Sequence, residues 1–150
     1  MSPKASLPLA LLGLLAGCLQ SDPAYLPVSL QPPYSGWPEA PPGTPIEPGM
    51  PIRLDPRQQE AIVAGVSKWM KSPASASFGP IAGVKLRQGR IAVCGEVDGR
   101  NSAGVYTGMA RFVGVMMGPA RAPEFVVVGI AQSGAPRAEL QAICQKSGIF

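Results

Sequence analysis

No histidine occurs among the 150 residues. Its absence excludes Ser-His-Asp and Cys-His nucleophilic schemes and removes the commonest metal ligand. The three cysteines, at 18, 94 and 144, include no Cys-x-x-Cys pair, so a dithiol redox couple lacks its close spacing. No Gly-rich phosphate loop is present either, because Gly99 to Gly108 has no Lys-Ser/Thr closing it. The apolar run Leu7–Gly17 falls short of the ~20 residues that a membrane-spanning helix needs. Charged residues are sparse, at 15%. These absences leave no cofactor, no metal and no small-molecule substrate to expect.

Proline is abundant and unevenly placed. Ten of the 18 prolines fall between Pro23 and Pro51, which separates a proline-rich stretch from a later block with the apolar pattern of a packed core. Charge is segregated in the same way. From Ile52 onward there are 12 Lys/Arg against 6 Asp/Glu, a formal +6, whereas Cys18 to Pro51 holds only Asp22, Glu39 and Glu47. A basic body behind an acidic stretch favours anionic surfaces such as phospholipid head groups or wall-polymer carboxylates.

Lys4 precedes the apolar run Leu7–Gly17, as the positive n-region of an export signal precedes its h-region. The run ends in Leu15-Ala16-Gly17-Cys18, where small residues let a peptidase approach the backbone. This segment resembles the lipobox of bacterial lipoproteins. The resemblance implies cleavage ahead of Cys18, a thioether-linked diacylglycerol on its sulfur and a further fatty acid, such as palmitate, on the new amino group. Several acyl chains on one residue exceed the two signals that stable anchoring takes. By the same analogy, Leu19 after the cysteine implies the outer membrane, facing the periplasm, in a cell with two membranes. The expected partition is a signal peptide at 1–17, a lipidated cysteine with a proline-rich linker at 18–51, and a globular domain at 52–150. The membrane is then a partner through the covalent lipid, and nucleic acid is not, since an exported protein rarely meets it.

From Leu19 to Met50 neither helical nor alternating periodicity is present. Pro32-Pro33 and Pro41-Pro42, with Pro38, Pro45 and Pro48, remove backbone donors and fix φ. Such a stretch favours extended polyproline II and reads as a semi-rigid stalk with an upper reach of about 100 Å at ~3.1 Å per residue. Tyr25, Tyr34 and Trp37 punctuate it. They offer docking points for a partner, or contacts that fold back on the domain or rest at the membrane interface.

The domain opens at Asp55-Pro56, where Asp55 can cap, Pro56 suits the first helical position and Gln58 completes a capping box. Ile62, Val66, Trp69 and Met70 recur at helical spacing, and Pro73 is expected to stop the helix near Ser72. Strands are expected at Ile81–Arg87, at Arg90–Val97 after a Gln88-Gly89 turn, and from Val105 to about Met117 with bends at Gly108 and Gly114. A further strand at Phe125–Ala131 is so continuously β-branched that it reads as central. A last helix begins near Pro136 and carries Leu140, Ile143 and Cys144 on one face. The expected fold is α+β: a small antiparallel sheet of about four strands flanked by an N-terminal and a C-terminal helix.

With Cys18 assigned to lipid, Cys94 and Cys144 remain, and a disulfide is the default for an exported protein. The segment from Val93-Cys94-Gly95 through Asn101-Ser102 to Tyr106-Thr107-Gly108, with Met70-Lys71-Ser72-Pro73 through Phe78, resembles small bacterial envelope proteins of unsettled activity. The resemblance spans roughly residues 60–115. This chain departs from it at Asp98, where those proteins have asparagine, and at Val105, where they have a second glycine. The resemblance implies a fold and an envelope setting, not a reaction.

Candidate site residues concentrate in one loop: Glu96, Asp98, Arg100, Asn101 and Tyr106. Glu96 and Asp98 at strand spacing i and i+2 suit an acid/base pair, or simply lead into a solvated hairpin. Arg100 and Asn101 suit an anion, or satisfy the loop's own backbone. With no catalytic set beyond these, the expected function is a non-catalytic, lipid-anchored interaction or structural module near the cell wall, meeting a wall polymer or an envelope protein. The competing readings are a wall-acting hydrolase or lyase using Glu96 and Asp98, and a subunit of a trans-envelope complex.

Overall fold

The computed structural model describes residues 22–28, 48–87 and 89–149; the expected signal peptide, Cys18 and most of the proline-rich stretch lie outside them. Five strands form one antiparallel sheet in the order of the chain: β1 (Met50–Ile52), β2 (Ser77–Lys85), β3 (Ile91–Asp98), β4 (Ala110–Met117) and β5 (Glu124–Ala131). Helix α1 (Pro56–Ser67) lies between β1 and β2 in sequence, and α2 (Gly134–Lys146) closes the chain. The architecture is α+β, with five strands rather than about four. The extra one is β1, three residues long and too short to show any alternation in sequence.

Helix α1 begins as its sequence dictates. The Asp55 side chain accepts from the Gln58 backbone N–H at 2.8 Å, and Gln58 Oε1 accepts from the Asp55 N–H at 2.9 Å, a reciprocal capping box. It ends at Ser67, five residues before the expected Ser72. The backbone past it is claimed by another segment: Leu26 donates to the Trp69 carbonyl at 2.7 Å and Lys71 to the Ala24 carbonyl at 2.9 Å. Helix α2 ends on two short-range bonds, Gly148 N–H to the Gln145 carbonyl and Ile149 N–H to the Cys144 carbonyl, the pairing of a Schellman ending.

The sheet is covered on both faces. Ile62, Val66 and Met70, in or just beyond α1, meet Val93, Val97, Phe112, Phe125, Val127 and Ile130 on one face. Leu140, Ile143 and Cys144 of α2 meet Val84, Ala92, Cys94, Val113 and Ala131 on the other. The alternation expected along β3 is therefore present, with Ile91, Val93 and Val97 toward α1 and Ala92 and Cys94 toward α2. Strand β5 is not central; it is an edge strand. Its nearly continuous apolar run reflects helices on both faces, which demand the same composition as a central position.

Two irregularities aim side chains. In β2 the pairing shifts between Phe78 and Ile81, where Pro80 sits beyond the reach of β1, a place in a sheet that tolerates proline. In β5 the pairing shifts opposite Val113 and Gly114, so Val128 is an extra residue and Ile130, not Gly129, joins Phe125 and Val127 toward α1. Phe112 packs edge-on between Phe78 and Phe125, at 6.2 and 6.0 Å between ring centres. Room for these rings comes from Gly95 and Gly114. A Cβ on Gly95 would lie 2.4 Å from the Phe112 ring, and one on Gly114 would lie 2.3 Å from the Phe125 ring and 2.4 Å from the Val126 carbonyl oxygen.

The disulfide Cys94–Cys144 joins the middle of β3 to α2, with both cysteines fully buried.

Candidate functional site

The five loop residues singled out in sequence lie at one end of the sheet, where β3 leaves and β4 enters. Structure brings them near one another, but each is engaged within the fold. Glu96 lies on the α2 side of β3, and its Oε1 accepts from Arg111 of β4 at 3.4 Å and from Arg137 in the first turn of α2 at 3.0 Å. Arg137 also donates to the Met109 carbonyl at 3.2 Å. Glu96 thus ties the start of α2 to the sheet and to the loop. Asp98 Oδ1 accepts from the backbone N–H of Gly99 at 2.7 Å and of Gly108 at 3.0 Å, drawing the two ends of the loop together. The two carboxylates have separate partners, and no hydrogen bond or shared cation links them among the described residues.

Asn101 organises the loop tip. Its Oδ1 accepts from the Ala103 and Val105 N–H groups, both at 3.0 Å, as an asparagine that replaces a backbone turn does. The backbone closes the same turn through Asn101 N–H to the Val105 carbonyl and Gly104 N–H to the Asn101 carbonyl. Valine at 105 therefore leaves the loop tightly turned. Arg100 and Tyr106 face each other across it in an isolated bridge, the guanidinium 5.3 Å from the ring centre. That stack is a cation–π contact.

Sequence reasoning missed the partner of this loop, which is the chain's own segment 22–28. Asp22 accepts from Lys71 Nζ in an ion pair and from the Ser102 N–H at 2.9 Å, while Asn101 Nδ2 donates to the Asp22 carbonyl at 3.2 Å. The Lys71 hydrogen bond is the main cause, and the Ser102 N–H the next, of a carboxyl held below its ordinary value. Ala24 is buried in the α1-side core, and Tyr25 pairs with Met70. The Tyr25 hydroxyl accepts from the Gln132 N–H at 2.9 Å, and Gln132 Nε2 in turn donates to the Thr107 carbonyl. Segment 22–28 is a strap across the end of the body. Of the alternatives open for Tyr25, folding back on the domain is the one adopted. The signal was faint, since a lone Tyr in a proline-rich stretch has no periodicity to read.

The segment just before α1 is also on the body: Gly49 donates to the Ser147 carbonyl at 2.9 Å, and Met50–Ile52 pairs with β2. Residues 29–47, with Tyr34 and Trp37 of the expected stalk, lie outside the described residues.

Neither Glu96 nor Asp98 lines the surface hollows of about 400, 360 and 500 Å³ that lie at the far end beside Gln58, Met116 and Pro119, between α1 and β5, and over Leu54 and Gly83. Among the described residues no three His, Cys, Asp or Glu side chains gather as metal ligands, and no helix is long and apolar enough to cross a membrane. The chain matches no protein-family model, no curated protein and no solved structure. Its function must therefore be read from its own chemistry.

Proposed function

We propose that the protein is a lipid-anchored component of the bacterial cell envelope, whose disulfide-braced body serves as a non-catalytic interaction module for a wall polymer or an envelope protein. The observation that carries this reading is the lipobox-like Leu15-Ala16-Gly17-Cys18, placed four residues before a segment that packs on the body at Asp22. A buried disulfide suits the oxidising setting that export supplies. The likeness of residues 60–115 to small envelope proteins points to the same setting. In a cell with two membranes, Leu19 favours the outer one. Glu96 and Asp98 hold elements and loop ends in place, a use that favours a structural role for them over wall hydrolysis. The formal +6 of residues 52–150 suits an anionic partner.

Detergent partitioning and intact mass test the anchor. The full chain should enter the detergent phase and carry the mass of diacylglycerol and a fatty acid, and Cys18→Ala should do neither. Equal partitioning of the two without added acyl mass would overturn the reading. Retention of the body on isolated cell wall, or crosslinking to an envelope protein in the native cell, is expected for the interaction role. Failure of both would leave an anchor without a module.

A further inference from the structure

The strap sets how far the body stands from the lipid. Only Leu19, Gln20 and Ser21 separate Cys18 from Asp22. Fully extended, four residue steps span at most about 14 Å at ~3.3–3.6 Å each. The headgroup layer of one leaflet is itself roughly 5–7 Å thick, half the difference between the whole bilayer and its hydrocarbon core. An acylated Cys18 therefore holds Asp22, and the loop bonded to it, against the membrane surface.

That end of the body carries side chains suited to an interface. Val105 is 58% exposed and Tyr106 49%, at the tip of a loop whose Ser102 N–H and Asn101 side chain bond Asp22 directly; Met109, just before β4, is 41% exposed. Apolar side chains at a solvated loop tip gain by entering the acyl boundary, and tyrosine places its ring among the head groups with its hydroxyl toward water. Arg100, stacked on Tyr106, brings a guanidinium whose fork fits a phosphate. The internal bonds of Asn101 and Asp98 hold the tip in shape before it meets lipid, which limits the ordering cost of binding.

We infer that loop 99–108, with the strap end at Asp22, forms a membrane-facing end of the protein, with Val105 and Tyr106 in the interfacial zone and Arg100 at lipid phosphate. The inference rests on acylation of Cys18. It fixes an orientation as well: the Gly118–Pro123 turn, at the opposite end of β4, points away from the bilayer, and so does the hollow beside Met116 and Pro119.

Fluorescence quenching tests it on the acylated full chain. With Cys18 acylated and Cys94 and Cys144 joined, Val105→Cys supplies the one thiol for an environment-sensitive fluorophore, and Ala103→Cys is a second reporter in the same loop. Ala120→Cys is the control at the far turn. The proteins are placed on vesicles of phosphatidylethanolamine and phosphatidylglycerol carrying nitroxide-labelled lipid. Because interfacial groups sit about 5–10 Å into the headgroup boundary, emission at 105 and 103 should fall roughly twofold and emission at 120 should not change. Intact mass of each sample separates the two claims. Acylated protein quenched equally at both ends, or at neither, would overturn the orientation while leaving the anchor in place. Absence of acyl mass would overturn both.

Discussion

At the scale of single residues, the sheet depends on glycines where a β-branched residue would otherwise suit a strand. Gly114 faces the Phe125 ring and, at 2.4 Å from where its Cβ would be, the Val126 carbonyl oxygen. The ring could turn, but the carbonyl is part of the β4–β5 ladder and cannot withdraw. Gly114→Ala is therefore expected to destabilise the protein by about 1–3 kcal/mol, the usual range for overpacking, measured as a lower urea midpoint at unchanged slope. Asp22 makes a second prediction. Its carboxyl is held below its ordinary value, chiefly by the hydrogen bond from Lys71 and then by the Ser102 N–H. Docking thus favours the ionised form. Its contribution is complete above the pKa of the undocked carboxyl, about 3.9, and is lost as pH falls through the lower docked value. Amide exchange at Leu26 and Lys71, two of the N–H groups that join strap to body, should, relative to the intrinsic rate of each amide at the same pH, stay slow down to about pH 4 and rise below it. Asp22→Asn should raise it already at neutral pH, and unchanged exchange in that variant would remove Asp22 as the clasp.

At the scale of elements, what was legible in sequence was local. The Asp55–Gln58 capping box, the inward Ile62 and Val66 of α1 and the two-face alternation of β3 are all present, because each is set by residues within one or two turns or pairs of one another. Trp69 and Met70 of the expected helical face lie past the end of α1. The C-terminal end of α1 and the place of β5 were misread for the opposite reason. The end of α1 is decided by Ala24 and Leu26, more than forty residues away, and a doubly covered edge strand has the composition of a central one. Helix α2 is joined to its sheet by the disulfide, which closes a separation of 50 residues. Cys94→Ala with Cys144→Ala should cost about 4 kcal/mol in the chain-entropy account. The check is equilibrium unfolding of the pair variant beside the oxidised protein. A loss below about 1 kcal/mol would mean that the buried contacts of Leu140 and Ile143, with the Glu96–Arg137 pair, hold the helix without it.

At the scale of the whole molecule, the strap makes the body larger than its sequence suggests. Ala24 is 2% exposed, and Tyr25 and Val28 pack on the α1-side core. A chain beginning at residue 48 should accordingly be less stable than one beginning at residue 19, by about 2 kcal/mol, the worth of one well-buried apolar side chain. Thermal unfolding of the two fragments measures the difference, and identical midpoints would reduce the strap to a surface ornament.

The candidate loop shows where sequence reading ends. Glu96, Asp98, Arg100, Asn101 and Tyr106 could be picked out because turn formers and charges cluster there, yet their roles depend on Arg111, Arg137 and Asp22, which come from other parts of the chain. By itself the sequence determined the elements with short-range causes: caps, alternating faces, turns, and the cysteine pair left once Cys18 is set aside. Only tertiary structure decided that residues 22–28 and 49–52 bond to the body, and that β5 is an edge. Those outcomes rest on hydrogen bonds and packing between residues far apart in the chain, and such partners leave no periodic trace in either segment.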